Sequence, residues 1–148
     1  MLTFDGLPFL PSVGYVSPDG AVWMGQPAWQ AAGEQPSRLI PIPRRPADGD
    51  LVVEGTEVEA VELAAAPLRR VVDEAELVAG GPVADVRLVV PAGWGPRRRT
   101  WMRQVAHRAG LAQPRLVEAP VAAAQLLVRQ PPFEMSLVGP GRRGAATA

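Results

Sequence analysis

Between Asp85 and Leu127 the chain carries the pattern of a β-α-β-α unit, and that order constrains everything around it. Val86 to Val90 is a short, mostly apolar run rich in valine, closed by Pro91, Gly93 and Gly95. A run of this length ended by turn residues predicts a strand buried on both faces, then a tight loop. Pro96 suits the first position of a helix, where a missing N–H has no partner to lose. Trp101, Val105 and Ala109 recur every four residues, flanked by Met102 and Ala106, and form one apolar helical face. Gly110 is placed to stop that helix in the left-handed conformation. Leu116 and Val117 make a second short run, followed by Pro120 and the helix-forming string VAAAQLLV. Two strands joined through a helix of about four turns are expected to be parallel, with a right-handed crossover.

The segments before this unit read as hairpins, a connector and a long helix. Leu10 to Tyr15 is an apolar run ended by Ser17-Pro18-Asp19-Gly20, and Ala21 to Met24 is a short return strand. Pro-Asp-Gly turns for separate reasons: proline presets φ, aspartate bonds nearby backbone, and glycine accepts positive φ. Gln26 to Glu34 reads as a short helix with Ala28, Ala31 and Ala32 on one side. Pro36 to Asp50 holds Pro36, Pro41, Pro43 and Pro46, and is expected to be irregular, neither helix nor central strand. Its Arg44 and Arg45 read as solvated charges on an exposed connector. Leu51 to Val58 reads as a second hairpin around Glu54-Gly55. From Glu59 to Ala79, Val61, Ala65, Leu68, Val72, Ala75 and Val78 follow an amphipathic helical spacing. Pro67 lies inside it and predicts a bend or a helix that starts afresh. Arg69 with Asp73 and Arg70 with Glu74 are placed to pair one turn apart, and Gly80-Gly81-Pro82 closes the element.

Composition excludes several classes. A chain of 148 residues is a prior for one domain. Formal net charge is zero, so there is no global attraction to nucleic acid or anionic lipid. No apolar run approaches the roughly 20 residues of a membrane span, and MLTFDGLPFL lacks the features of a secretory signal. Cysteine is absent, which removes disulfides and thiol-ligated metals. A cytoplasmic location is the default expectation. Every basic side chain except His107 is arginine, a coding bias that weakens any argument from arginine chemistry alone.

Few residues offer chemistry. Arg97, Arg98 and Arg99 crowd the first turn of the helix after Pro96, where the helix dipole prefers anions. A solvated face, a partner or phosphate contact, and nucleic-acid binding compete as readings; the last is disfavoured because no aromatic residues interleave the patch. His107 has no ligand-spaced companion and reads as a surface or structural histidine. Glu118 ends the second strand of the parallel pair, where open α/β sheets place their chemistry. A solvated carboxylate is the plain alternative. Trp23, Trp29, Trp94 and Trp101 read either as core or as contact residues. The sequence holds no P-loop or Ser–His–Asp arrangement.

The string LVVPAGWGPRRR, then AGL, then EAPVAAA resembles the ATPase domain of the seventy-kilodalton heat-shock chaperone family. Its nearest likeness is to actinobacterial chaperone-like proteins, including those called type VII secretion-associated. Upstream, LPSVGYVSPDGAVWMGQPA is similar to the same family's segment after its first hairpin. The resemblance covers roughly Asp5 to Val128 and rests on four motifs in order. It implies an α/β fold: part of an actin-like, ribonuclease-H-like ATPase lobe with N-terminal hairpins and a parallel β-α-β-α unit. Within a partial lobe over 1–130, the hairpins and connector would occupy 1–58, the long helix 59–79 and the unit 85–130, with a disordered tail over 131–148. The resemblance also points to two site residues. Arg44 stands where a family lysine reaches the nucleotide's phosphates. Glu118 stands one residue before the place of a family glutamate, which here is Ala119. A one-residue shift along a strand turns a side chain to the opposite face.

The complete family uses ATP and magnesium, held by two glycine-rich loops of D-x-G type that this sequence lacks. No cofactor is therefore expected for this chain alone, nor ATP hydrolysis. Three expectations follow: a truncated or degenerate chaperone-type ATPase domain, a non-catalytic interaction module linked to type VII secretion, or a gene fragment without function. Protein partners or self-association are expected, and a membrane is not.

Overall fold

In the computed structural model, which describes residues 1–43 and 49–129, the first hairpin joins β1 (Val13–Val16) to β2 (Val22–Trp23). Gly20 takes φ of 86°, as the turn requires. The Asp19 carboxylate accepts the Ser17 hydroxyl and the Ala21 N–H. These bonds, the hydroxyl first, hold its pKa below the ordinary aspartate value. α1 (Gln26–Ala32) follows and buries Ala28 and Ala32.

The proline-rich stretch is more regular than its composition predicts. Pro36–Arg38 is a single 3-10 turn, and Leu39–Pro41 is a strand, β3, antiparallel to β1. The sheet order β2-β1-β3 leaves β3 on an edge. An edge tolerates Pro41 because its missing N–H need not join a ladder. Arg44, Arg45 and the residues from 130 onward lie outside the described residues.

β4 (Asp50–Val53) and β5 (Thr56–Glu59) form the second hairpin in the expected place. Glu54 and Gly55 both have positive φ, 49° and 78°, the two-residue turn whose twist matches the strands. α2 (Ala60–Ala79) runs as one helix through Pro67. It does not start afresh, because packing on two sides holds it: Leu63 and Ala66 enter one core cluster, Ala64 and Ala65 another. Arg70 pairs with Glu74 at 2.8 Å as the spacing predicts. Arg69 instead pairs with Glu62 at 2.8 Å and donates to the Arg108 carbonyl at 3.0 Å. The neighbouring helix offers it a carbonyl that Asp73 cannot match.

The organising unit forms in the predicted order. β6 (Arg87–Val90), α3 (Pro96–Arg108), β7 (Arg115–Glu118) and α4 (Ala119–Arg129) follow one another. β6 and β7 are parallel and in register from Arg87↔Arg115 to Val90↔Glu118. At the end of α3, Gly110 has φ of 93°. Its N–H reaches the His107 carbonyl, and the Leu111 N–H reaches Ala106. That bond pair satisfies carbonyls the helix would otherwise leave open. The expectation of a strand buried on both faces is corrected. Only Val90 of β6 is buried, and Val89 is 60% exposed. The two-stranded sheet leaves part of one face without cover.

Two clusters carry most of the core. Val16, Met24, Ile42, Val53, Val58 and Leu63 join both hairpins to α2. Ala64, Ala65, Trp101, Val105 and Ala109 join α2 to α3. Of the tryptophans, Trp101 is buried, Trp94 half-buried, and Trp23 and Trp29 exposed.

One polar hub was not singled out by the sequence. The Arg38 guanidinium donates to the Val16 carbonyl at 3.2 Å, the Thr56 hydroxyl at 3.1 Å and the Glu54 carbonyl at 3.4 Å. Its Nε donates to Gln35 at 2.8 Å. It thereby ties the first sheet to the second hairpin. Arg38→Lys keeps the charge but loses the planar fork, and is expected to cost about 1–3 kcal/mol in chemical denaturation.

Candidate functional site

The carboxyl ends of β6 and β7 meet the starts of α3 and α4, and this is where the chain gathers its candidate chemistry. The loop after β6 is tight: the Trp94 N–H donates to the Pro91 carbonyl at 3.2 Å. Gly95 is the extended residue before α3, and Pro96 occupies the first helical turn as predicted. Pro120 is the second residue of α4. Both helices thus begin within a residue or a short loop of the strand ends.

Arg99 and Glu118 are brought together here. The Arg99 Nε donates to the Trp94 carbonyl at 2.9 Å, and its Nη2 is ion-paired to Glu118 Oε1. Both side chains are partly buried, so solvent screens the pair less than a surface pair. This pairing accounts for a cation in a helical first turn, where the dipole alone disfavours it. Arg99 holds the Pro91–Gly95 loop and the end of β7 in one arrangement. Sequence spacing offers no sign of this, because the partners are 19 residues apart.

The pairing limits what Glu118 can do. A guanidinium in contact repels a second cation and occupies one carboxylate oxygen. Residue-by-residue pairing along β6 and β7 leaves no slip in the strand that would move Glu118 to the next position. Ala119, the first residue of α4, carries no functional group. Arg44, the other predicted site residue, lies outside the described residues. Arg98 lines an apolar groove beside the loop.

The rest of the basic helix is partly neutralised. Arg108 pairs with Glu59 at 2.9 Å and Glu62 at 3.3 Å. Those contacts, the bond to Glu59 first, raise its pKa above the ordinary arginine value. His107 is exposed on the same helix. Among the described residues no group of three histidine, aspartate or glutamate side chains is gathered to hold a metal ion. No described helix is long and apolar enough to cross a membrane.

No family model matches the chain. Over 116 residues it is 30% identical to the chaperone protein DnaK of Methanothermobacter thermautotrophicus. Over the same length it is 31% identical to DnaK of Elusimicrobium minutum and 27% identical to that of Cenarchaeum symbiosum. The alignment takes in 77% of this chain in each case. It takes in 20%, 19% and 18% of those proteins respectively, so the chain spans about a fifth of the length of the curated relatives it matches. The mixed α/β architecture with small sheets is compatible with a lobe of such an ATPase domain. Over that stretch the comparison relates the chain to the seventy-kilodalton heat-shock chaperone family.

Proposed function

We propose that the chain is a degenerate chaperone-type ATPase domain, part of an actin-like first lobe, which does not hydrolyse ATP by itself. The observation that carries this reading is the Arg99–Glu118 pair beside Ala119. The residue at the end of β7 that could accept a proton or hold a cation is committed to a guanidinium. The next position has no carboxylate. The residues present do not fit a magnesium–nucleotide site. The donors such a site needs are a free carboxylate and glycine-rich phosphate loops, and the D-x-G type is absent from the sequence. Arg44 keeps the charge of the family lysine without its compact ammonium, which further separates this chain from its relatives. The Trp-Gly-Pro loop and the EAPVAAA string support a place in the actinobacterial, type VII secretion-associated branch.

Calorimetry of the full chain with ATP and magnesium tests the proposal. The expected result is no saturable heat at a Kd tighter than about 1 mM, and no phosphate release above buffer. Tight binding or turnover would overturn it.

A second reading is favoured by the apolar surface left open. Leu126, Leu127 and Val128 of α4 and Leu77 and Val78 of α2 are all exposed. Leu126, Leu127 and Val128 are consecutive on α4, and an exposed apolar run of this kind supports a contact surface there. On this reading the chain is a non-catalytic interaction module acting with type VII secretion components. Affinity capture from the native host should return a defined partner; recovery of general chaperone clients alone would count against it.

A further inference from the structure

Strand β6 is an edge with a groove beside it. Among the described residues it pairs only with β7. The Arg115 N–H donates to the Val86 carbonyl at 3.0 Å. Backbone groups alternate sides along a strand, so Leu88 and Val90 also turn toward β7. Arg87 and Val89 then turn their N–H and C=O to the open side. The groove, about 530 Å³, lies between the end of β3, α2, α3 and the loop after β6. Leu68, Val89, Trp94 and Met102 help to make its wall apolar, and Arg98 is the charged residue among the described lining. Trp101 lines it too. That ring is 8% exposed, and its indole Nε1 is buried with no hydrogen-bond partner among the described residues.

These features are separate, and each asks for something different. The edge offers a backbone donor and acceptor at Val89. The wall offers apolar contact. Arg98 offers a cation with no acid beside it in the described lining. We propose that this edge and groove take an extended segment of a partner protein, apolar at alternate positions and carrying a carboxylate beside Arg98. A strand added to β6 would satisfy Val89 through main-chain bonds and send every second side chain into the groove. Charge complementarity selects an acidic segment over a basic one. The inference rests on the interaction reading above and names the site and chemistry of the contact.

The test uses the full chain and a fluorescein-labelled peptide of eight residues that alternates valine and threonine, with glutamate replacing the last valine. A second peptide carries lysine in place of that glutamate. Fluorescence anisotropy is expected to show saturable binding of the glutamate peptide, about tenfold tighter than the lysine peptide. Val89→Pro removes an N–H that faces the open side and spares the β6–β7 ladder, so binding should weaken about tenfold. Arg98→Glu should reverse the preference between peptides, and circular dichroism checks that each variant is folded. Should the proline variant fail to fold, the reversal at Arg98 carries the test. Absence of saturable binding, or binding indifferent to the foldable substitutions, would overturn the proposal. So would a dimer in sedimentation that Val89→Pro dissolves, since it would assign the edge to a second copy. A captured host partner held equally by the wild-type chain and both variants would leave the interaction reading standing and remove this site from it.

Discussion

Leu63→Ala is expected to lower the stability of the folded chain by about 3–5 kcal/mol, the upper part of the range for truncating a buried leucine. Leu63 is 0% exposed and sits where both hairpins meet α2, in contact range of the cluster that includes Val16, Met24, Ile42, Val53 and Val58. Its neighbours come from strands on two separate sheets, so no single element can shift to fill the space. The loss therefore combines the transfer free energy of the removed carbons with a retained cavity. Domains of this size are stable by only about 5–15 kcal/mol, so the variant should melt on the order of 10 °C lower. Thermal and urea unfolding by circular dichroism measure it. A shift of only a degree or two would mean that α2 does not hold the two hairpins together.

Gly25→Ala is the second large effect, expected at about 2–4 kcal/mol from backbone strain with a collision added. Gly25 precedes α1 with φ of 71° and ψ of −148°, a region open in practice to glycine alone. A Cβ there would lie 2.5 Å from Asp5 Oδ2. That oxygen is not free to move away without loss. It accepts the Gln26 N–H at 2.8 Å, and Asp5 also faces Arg70 at 3.9 Å. The same guanidinium stacks over the Phe4 ring at 5.6 Å. Relief of the collision would thus release the N-terminal turn from α1 and α2. Unfolding measurements should show the loss. Gly25→Ala with Asp5→Ala should recover only the collision and leave the strain, so a full recovery would overturn the backbone argument.

Much of the fold was legible because its signals are local. The Ser17–Gly20 and Glu54–Gly55 turns, the Gly80 and Gly110 stops and Pro96 at a helix start each depend on backbone geometry within a few residues. Residue type alone sets those choices. The β3 strand is hidden in the sequence because its prolines outweigh the short run Leu39–Ile40, and an edge beside β1 tolerates what a central strand would not. Pro67 by type disfavours a continuous helix, yet α2 passes through it because two clusters grip the helix around that point.

The site divides in the same way. Its location at the ends of two parallel strands, and Glu118 as the last strand residue, followed from the order of elements. The tie between Glu118 and Arg99 did not, nor the exchange of Asp73 for Glu62 at Arg69. The bonds of Arg38 to partners 16 to 22 residues away were equally hidden.

By itself the sequence determined where the backbone turns, where helices stop, and which strand follows which. Torsional preference acts on neighbours along the chain. Tertiary structure alone decided which face of β6 stayed bare, which acids Arg69 and Arg99 took, and which indole N–H lies buried with no acceptor among the described residues. Those outcomes depend on what distant segments bring within about 4 Å, and neither burial nor ion pairing is a property of one residue type.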